Sequence, residues 1–268
     1  MNADARGSTG AAATSMRRVV VYPGRIAVEA ADIPVPGAGA WTPGKRVIVE
    51  PDLPCWACKM CTSGRENLCE NLQFFGCGYP QGGLADYFTL AAGRLHPVPD
   101  TLDDQTAALI EPLSTPVHAV RLAGDVAGRA AALGADMTID AGTPDVAGQV
   151  RQALGGSADI VFDCVAIQSS VDQAIAMADK GGTVVVVGVP AREVTIPLPI
   201  VQDHQIRIQG SATYLPRDYQ ESAGLLGRGA VRPGDFVTAT RPLAQVAEAF
   251  ELASSGNHVK VLVTVGER

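Results

Sequence analysis

The sequence predicts an α/β protein in which a β-rich region is joined to a doubly wound parallel sheet. Short β-type segments fill residues 17–50, four cysteines cluster within residues 54–69, and helix and strand patterns alternate from about residue 130. At 268 residues and 47% hydrophobic composition, the chain can bury a large core. It is therefore long enough for one large domain or two medium ones.

The β-rich region begins with two segments, RRVVVY and RIAVEA, that Pro23 and Gly24 separate. A Pro-Gly pair is typical of a turn, so the pattern predicts two consecutive strands. KRVIVEP predicts a further strand that enters the cysteine cluster, and GGLADYFTL has the composition of a strand. LHPVPD is expected to be a loop.

Two helices are expected between the β-rich region and the alternating region. Asp103 is a plausible N-cap for a short helix that ends before Pro112. Thr115 followed by Pro116 indicates the start of a second helix, which Gly124 can close.

The alternating region contains continuous Val/Ile runs, which are typical of strands covered by helices on both faces. The predicted elements, in order, are strand MTID, helix VAGQVRQALGG, strand ADIVFDCVA, helix SVDQAIAMADKGG, strand TVVVVGVP and strand IRIQGSATY. Helices YQESAGLLGRG and LAQVAEAFELASSG and the final strand KVLVTV complete the chain. This order predicts a parallel, doubly wound sheet.

The cysteine cluster has the spacing C-x2-C-x2-C-x7-C, formed by Cys55, Cys58, Cys61 and Cys69. Four thiolates at this spacing suit one tetrahedral Zn²⁺ and leave no position open for a substrate. A disulfide pair or plain buried cysteines are the alternatives. As a zinc site, the cluster would stabilise a lobe over residues 54–70 without taking part in catalysis.

Charge and hydropathy exclude several classes of partner. The net charge of −7 provides no basic face for nucleic acid or anionic lipid. Residues 1–16 are small and polar, without the apolar core of a signal peptide, and are expected to form a disordered tail. No apolar run approaches the roughly 20 residues that span a bilayer. We therefore expect a cytoplasmic protein that binds neither nucleic acid nor membrane.

The cysteine cluster, the tract AALIEPLSTPVHAVRLAG and the final SGNHVKVLV together resemble the zinc-dependent medium-chain alcohol dehydrogenases, most closely the sorbitol, threonine and butanediol dehydrogenases. The resemblance implies a GroES-like catalytic domain (17–117 and 212–268) interrupted by a Rossmann cofactor domain (118–211). It also implies hydride transfer between a secondary alcohol or polyol and NAD(P), with a catalytic zinc as Lewis acid. The implied partners are a small-molecule substrate and further copies of the chain, in a dimer or tetramer.

Two segments of the family pattern have no counterpart in this sequence. Ala40 is followed directly by WTPGKRVIVEP, so the Cys-Gly-x-Asp loop and the Gly-His-Glu motif that hold the catalytic zinc are missing. Near residues 128–131 the first Rossmann strand, its G-x-G-x-x-G turn and the second strand are missing too. MTID would then lack its neighbouring strands while the last three strands still pair. We expect a rearranged or loosely packed Rossmann sheet with an exposed edge and a tendency to associate.

The remaining candidate site residues come from the resemblance. Glu111 matches a glutamate in or beside the catalytic-zinc shell, or is simply a helix-terminal residue before Pro112. Thr115 matches a residue near the nicotinamide, or is an N-cap. Lys260 matches a residue that meets the pyrophosphate, or is a solvated charge on an edge strand. The nicotinamide pocket would be lined at the carboxyl ends of two strands by Val165, Val187, Gly188 and Val189, with residues 211–214 nearby.

Other conspicuous side chains have simpler interpretations. Phe75 resembles a substrate-pocket aromatic but fits a core position as well. Cys77 and Cys164 lie outside the zinc spacing and are expected to be small buried hydrophobic residues. His118 is expected to be a packed histidine.

Three hypotheses about function follow. The first is the family activity, zinc- and NAD(P)-dependent alcohol or polyol oxidation, with two zinc ions per chain. The second is a catalytically inactive protein that keeps only the structural zinc, as a remnant or an interaction protein. The third is that the sequence lacks segments of a complete enzyme.

Overall fold

A computed structural model describes residues 13–22, 25–34, 41–123 and 136–266. The chain divides into one packing unit formed by residues 1–109 and 232–268 and a second formed by residues 110–231. These limits differ from the predicted 17–117, 118–211 and 212–268 because the helices that flank the central sheet pack on each other inside the second unit. The predicted domain limits stay a prediction.

The first unit is built mainly from paired strands, and the second combines a parallel sheet with helices. The strands are β1 Ala13–Tyr22, β2 Arg25–Pro34, β3 Val47–Val49, β4 Asp52–Leu53, β5 Gln73–Phe74, β6 Leu95–Pro97, β7 Ala158–Asp163, β8 Ala178–Val186, β9 Arg207–Gly210, β10 Val237–Pro242 and β11 Lys260–Thr264. The helices are α1 Lys59–Thr62, α2 Asp104–Ala107, α3 Ile110–Ala123, α4 Val146–Leu154, α5 Gln168–Met177, α6 Leu198–Asp203, α7 Pro216–Gly227 and α8 Val246–Ser254. Short 3-10 turns cover Glu66–Leu68, Ala92–Arg94, Pro233–Asp235 and Leu243–Gln245.

The first unit is built from paired strands. β1 and β2 form a long antiparallel hairpin, β3 pairs with β6, and β4 pairs with β5, both antiparallel. β10 and β11 run parallel, and α8 packs on them. Asp103 caps α2 as predicted, because its carboxylate accepts a hydrogen bond of 2.7 Å from the amide of Thr106.

The second unit contains a three-stranded parallel sheet in the order β7-β8-β9. Val184 and Val185 are successive residues at the centre of β8 and face opposite sides of the sheet. Val184 packs in a cluster with residues of α5, whereas Val185 packs with Ala119 and Ala123 of α3. Both faces are therefore covered by helices, as the continuous apolar runs predict.

Helices α3 and α7 are joined by buried polar contacts. Ser114 and Ser222, both fully buried, have hydroxyl oxygens 3.2 Å apart. One turn along, His118 Nδ1 lies 2.8 Å from Asp218 Oδ2. These contacts place the start of the α7 segment in the same unit as the sheet.

Several sequence predictions were wrong in detail. GGLADYFTL is not a strand, and its one β-bridge joins Ala85 to Arg18. LHPVPD was predicted to be a loop, but its first three residues form β6, because their backbone groups pair with those of β3. MTID is not a strand, which agrees with the expected loss of its neighbours, whereas β7, β8 and β9 pair as predicted. Of the predicted disordered tail, residues 1–12 lie outside the described residues. Residues 13–16 belong to strand β1, so the prediction was wrong for them.

The helix predicted to open at Thr115 begins at Ile110 and contains Pro116, and the predicted stop at Gly124 lies outside the described residues. Strand β8 begins at Ala178, five residues before the predicted start, because the ADKGG stretch assigned to the preceding helix is extended. Strand β10 and helix α6 were not predicted. Within the described part of the chain, no helix is long and apolar enough to cross a membrane.

Candidate metal centre

The cysteine lobe brings the four predicted ligands together through two tight local structures. Cys58 caps α1, which places Cys61 one turn further along the same helical side. The 3-10 turn Glu66–Leu68 then returns the chain to Cys69. Trp56, next to Cys55, adopts a left-handed backbone with φ of 59°, which turns the chain sharply between the first two cysteines.

The four sulfur atoms form a compact group. All lie within 4.8 Å of one another, with Cys58 and Cys61 sulfurs 3.5 Å apart and Cys55 and Cys61 sulfurs 4.0 Å apart. A tetrahedral zinc with Zn–S bonds of about 2.3 Å requires sulfur–sulfur edges of about 3.8 Å. The side chains present therefore fit one zinc ion, and no disulfide joins them.

Hydrogen bonds from backbone amides stabilise negative charge on these sulfurs. The amides of Cys55 and Asn71 donate to the Cys69 sulfur at 3.2 and 3.3 Å. Hydrogen bonds from the backbones of Ala57 and Cys58 lower the pKa of the Cys55 thiol to about 6. Burial, together with the neighbouring thiols of Cys58 and Cys69, raises the pKa of Cys61 to about 12.

A buried charge cluster lies beside the lobe. The Glu50 carboxylate, completely buried, accepts a hydrogen bond of 2.6 Å from Arg94 Nη1 and lies 2.7 Å from His96 Nε2. The Arg94 guanidinium carbon lies 4.6 Å from the centroid of the Trp56 ring. A cation–π contact therefore links the lobe to the strand pair β3–β6.

The carboxyl ends of β7 and β8 lie close together in the second unit. The amides of Val187 and Gly188 both donate to the carbonyl of Asp163, at 2.8 and 3.0 Å. A side chain on Gly188 would meet the backbone of Val165 at 2.6 Å, so glycine is required at this approach. The structure thus brings together the predicted Val165, Val187 and Gly188, with Val189 directly following and 90% exposed.

Glu111 lies in the first turn of α3, where its Oε1 accepts a hydrogen bond of 2.8 Å from the Tyr214 hydroxyl. Burial, with help from Tyr219 and Glu111, raises the pKa of the Tyr214 phenol, which keeps it a donor. The four cysteines are the single group of three or more potential metal ligands among the described residues. The side chains around Glu111 therefore do not fit a catalytic zinc, although a role for Glu111 stays a prediction.

The other two predicted cofactor residues, Thr115 and Lys260, belong to other secondary-structure elements. Thr115 is half-buried inside α3 and is not an N-cap, because the helix begins five residues earlier. Lys260 is half-buried at the start of β11, in the first unit, opposite Val237. The sequence contains no G-x-G-x-x-G turn after a strand, the usual dinucleotide cradle, and the cofactor role of Thr115 and Lys260 stays a prediction.

Some of the remaining sequence interpretations are confirmed and others are wrong. His118 is a packed histidine, as expected, and Phe75 lies in the core with its ring 5.0 Å from that of Phe88. The expectation for Cys77 and Cys164 was wrong, because both are exposed. The sequence analysis did not predict the Glu50–Arg94–His96 cluster. The signal for it was Glu50, a charged residue directly after the apolar run of KRVIVEP.

Two protein-family models match the chain: the alcohol dehydrogenase GroES-like domain over residues 19–100 and the zinc-binding dehydrogenase domain over residues 116–228. The chain belongs to the zinc-dependent medium-chain alcohol dehydrogenase family. Its fold is that of the family, with a GroES-like domain and a Rossmann-like domain.

Particular relatives extend this finding. The chain is 28% identical to a probable D-xylulose reductase A of Neosartorya fischeri and 28% identical to sorbitol dehydrogenase of Gallus gallus. Each alignment covers 82% of this chain and 74% of the relative. A zinc-binding dehydrogenase from Sinorhizobium meliloti, solved with NADP bound, shares the fold with a TM-score of 0.81 at 23% identity, over 93% of this chain and 99% of that one.

Proposed function

We propose that the chain is a polyol dehydrogenase-type oxidoreductase whose four-cysteine lobe binds one structural zinc. The family reaction passes a hydride between a secondary alcohol of a polyol and NAD(P). The observation that carries this proposal is the compact group of four sulfurs, in a chain that aligns with xylulose and sorbitol dehydrogenases over 82% of its length.

The role of the zinc follows from its ligands. Four thiolates complete a tetrahedral shell, so the ion has no position for a substrate oxygen. Such a zinc contributes folding free energy instead of Lewis-acid catalysis. Val165, Val187 and Gly188 would supply a cofactor-facing edge, since ligands of open α/β sheets bind at the carboxyl ends of strands.

A second candidate is a protein that keeps the structural zinc and does not transfer hydride. It is favoured by the positions of the imidazoles. His96 is bound to Glu50 and His118 to Asp218, and His258 Nδ1 lies 3.1 Å from the Thr238 hydroxyl. His204 lies 3.8 Å from Asp203. Each histidine of the chain therefore lies beside another protein group.

The two candidates are separated by metal content, cofactor binding and turnover measured on one preparation. Zinc per chain is determined by elemental mass spectrometry, NADH and NADPH binding by calorimetry, and oxidation of sorbitol and xylitol by the appearance of reduced cofactor. Two zinc ions, micromolar cofactor binding and turnover support the active dehydrogenase. One zinc without cofactor binding supports the non-catalytic protein.

Location and assembly are part of the same proposal. A net charge of −7 and a small-molecule substrate class fit a cytoplasmic enzyme. β9 is the last strand of the sheet in the described part of the chain and exposes Ile208, so its outer edge would allow a homo-oligomer by strand pairing. Light scattering at two protein concentrations measures the assembly directly.

A further inference from the structure

We propose that Arg94 is a positioning residue for the metal centre. Its buried guanidinium holds the Trp56 indole, and through the indole it holds the strained turn that places Cys55 beside Cys58. The inference rests on the proposed structural zinc and names a residue, outside the ligand set, that governs how tightly the lobe binds the ion. Its elements are a left-handed backbone at a bulky residue, a ring over a cation, and an anchor for that cation.

The backbone of Trp56 is strained. Its φ of 59° lies in the left-handed region, which glycine enters freely and which a residue with a large side chain rarely adopts. Such a conformation persists only where the surrounding structure over-determines it. Contacts in or beside the lobe must therefore hold Trp56 against the tendency of its backbone to relax.

The strained turn shapes the metal site. Trp56 and Ala57 are the two residues between the first two cysteines, so the φ of Trp56 sets the direction from Cys55 to Cys58. The turn brings the Cys58 amide to 3.4 Å from the Cys55 sulfur, to which it donates. Cys58 also caps α1, the helix that carries Cys61. Because zinc binding is linked to the ordering of its ligands, the free energy needed to hold this turn lowers the zinc affinity.

The Trp56 indole has a partner that can offset the strain. Its ring centroid lies 4.6 Å from Arg94 Cζ, within the range of a cation–π contact. Arg94 is only 4% exposed, and such contacts are stronger when the cation is withdrawn from water. The contact and the cost of a left-handed backbone each correspond to roughly a tenfold change in an equilibrium constant, so one can balance the other.

Arg94 is fixed both at its backbone and at its guanidinium. Its carbonyl accepts a hydrogen bond of 2.8 Å from the Glu50 amide, and its Nη1 donates to the Glu50 carboxylate at 2.6 Å. That carboxylate is completely buried and also lies 2.7 Å from His96 Nε2 on β6. The guanidinium therefore gives the indole a rigid, planar support, which a lysine would not reproduce.

Substitutions at position 56 separate the backbone strain from the ring. Trp56→Ala removes the indole and keeps the backbone cost, so it should weaken zinc binding about tenfold. Trp56→Gly removes both and should bind zinc within about threefold of the wild type. Both variants should fold, because Trp56 is 57% exposed. Zinc affinity is measured by competition with a chromogenic chelator.

Leu68→Ala is the matched control for the loss of a large exposed side chain from the lobe. Leu68 is 45% exposed and ends the 3-10 turn Glu66–Leu68, away from the strained residue in the sequence. Its replacement should leave the zinc affinity within about twofold of the wild type, as is usual for surface substitutions.

A second set of variants removes the guanidinium. Arg94→Met is combined with Glu50→Gln, so that no buried charge is left without a partner. The combination should weaken zinc binding about tenfold in the wild-type background, and no more than about twofold in Trp56→Gly, which has neither the ring nor the strain. Urea stability should fall in both backgrounds. A residue that only stabilised the fold would change zinc affinity equally in the two.

If the combined variant does not fold, Arg94→Lys replaces it. Lysine keeps a positive charge beside Glu50 and lacks the planar face, so it should weaken zinc binding by about threefold or more in the wild-type background. The same substitution should leave the affinity of Trp56→Gly unchanged.

Two results would overturn the proposal while the zinc site stands. One is an equal zinc affinity of Trp56→Ala and Trp56→Gly, since the left-handed turn would then carry no cost. The other is a guanidinium variant whose effect on zinc affinity is the same with and without the indole. A wild-type chain that takes up no zinc would overturn the structural-zinc site as well, so the two failures are distinguishable.

Discussion

His118 Nδ1 lies 2.8 Å from Asp218 Oδ2 in the interior of the second unit, and this contact joins α3 to α7. Asp218 has no exposed surface, yet its carboxylate also accepts from Arg121 Nε at 2.9 Å and from the Leu215 amide at 2.8 Å. Three donors around one buried carboxylate make this the electrostatic centre of the helix pair.

Asp218→Asn should destabilise the protein by about 3 kcal/mol. Removal of one partner from a buried ion pair leaves the other charges without compensation. The variant Glu221→Gln is the control, because Glu221 pairs with the same Arg121 but its side chain is 51% exposed. It should cost less than about 1 kcal/mol. Urea denaturation of the three proteins measures both values; similar losses for the two variants would contradict the assignment.

The contribution of Asp218 should disappear in acid. Burial alone would raise the pKa of this carboxyl, but the hydrogen bonds from His118, Leu215 and Arg121 outweigh it and lower the pKa below its ordinary value. The stabilisation is thus complete above the unfolded-state pKa of about 3.9 and is lost as the pH falls through the lower folded-state value. The stability difference between wild type and Asp218→Asn should stay constant from pH 6 to a little above the unfolded-state pKa of about 3.9 and shrink at lower pH, as chemical denaturation at each pH can show.

Loss of one zinc ligand should remove the metal and weaken the first unit. Cys69→Ser takes away the sulfur that accepts from the Cys55 and Asn71 amides, and three remaining thiolates bind zinc more weakly. Zinc per chain and Tm should both fall. Cys77→Ser is the matched control, since Cys77 is exposed and lies outside the sulfur group. Equal zinc content in both variants would exclude the four-cysteine site.

Gly188→Ala should destabilise the second unit by about 1–3 kcal/mol, the usual cost of overpacking. The added carbon would lie 2.6 Å from the Val165 carbonyl carbon and 2.8 Å from that of Cys164, and backbone atoms do not yield easily. Gly210→Ala, at the end of β9 in the same sheet, meets nothing within 4 Å and is the control. Thermal unfolding of both variants tests the close approach of the β7 and β8 ends. A Tm of Gly188→Ala equal to that of the wild type would refute it.

The sequence predicted the parts of this protein that depend on local pattern. The cysteine spacing implied the sulfur group, and the continuous apolar runs implied the parallel sheet from β7 to β9. Gly188 was named through the family resemblance, at the carboxyl end of the predicted strand TVVVVGVP.

Contacts between distant residues were not predictable in the same way. Glu50 and Arg94 are separated by 44 positions, and His118 and Asp218 by 100, so no spacing rule connects them. The early start of α3 was missed because Pro116 is normally a breaker, and here the helix accommodates it. MTID has strand composition, but a strand needs a partner, and composition carries no information about one.

The order of the central sheet has a consequence for how the second unit folds. β7, α5, β8, α6 and β9 follow one another without interruption between residues 158 and 210, so every strand pair in that sheet closes a short stretch of chain. The His118–Asp218 contact instead closes a loop of about 100 residues, which costs more chain entropy. The sheet is thus expected to form early and the α3–α7 joint late, so substitutions at Asp218 should accelerate unfolding far more than they slow folding.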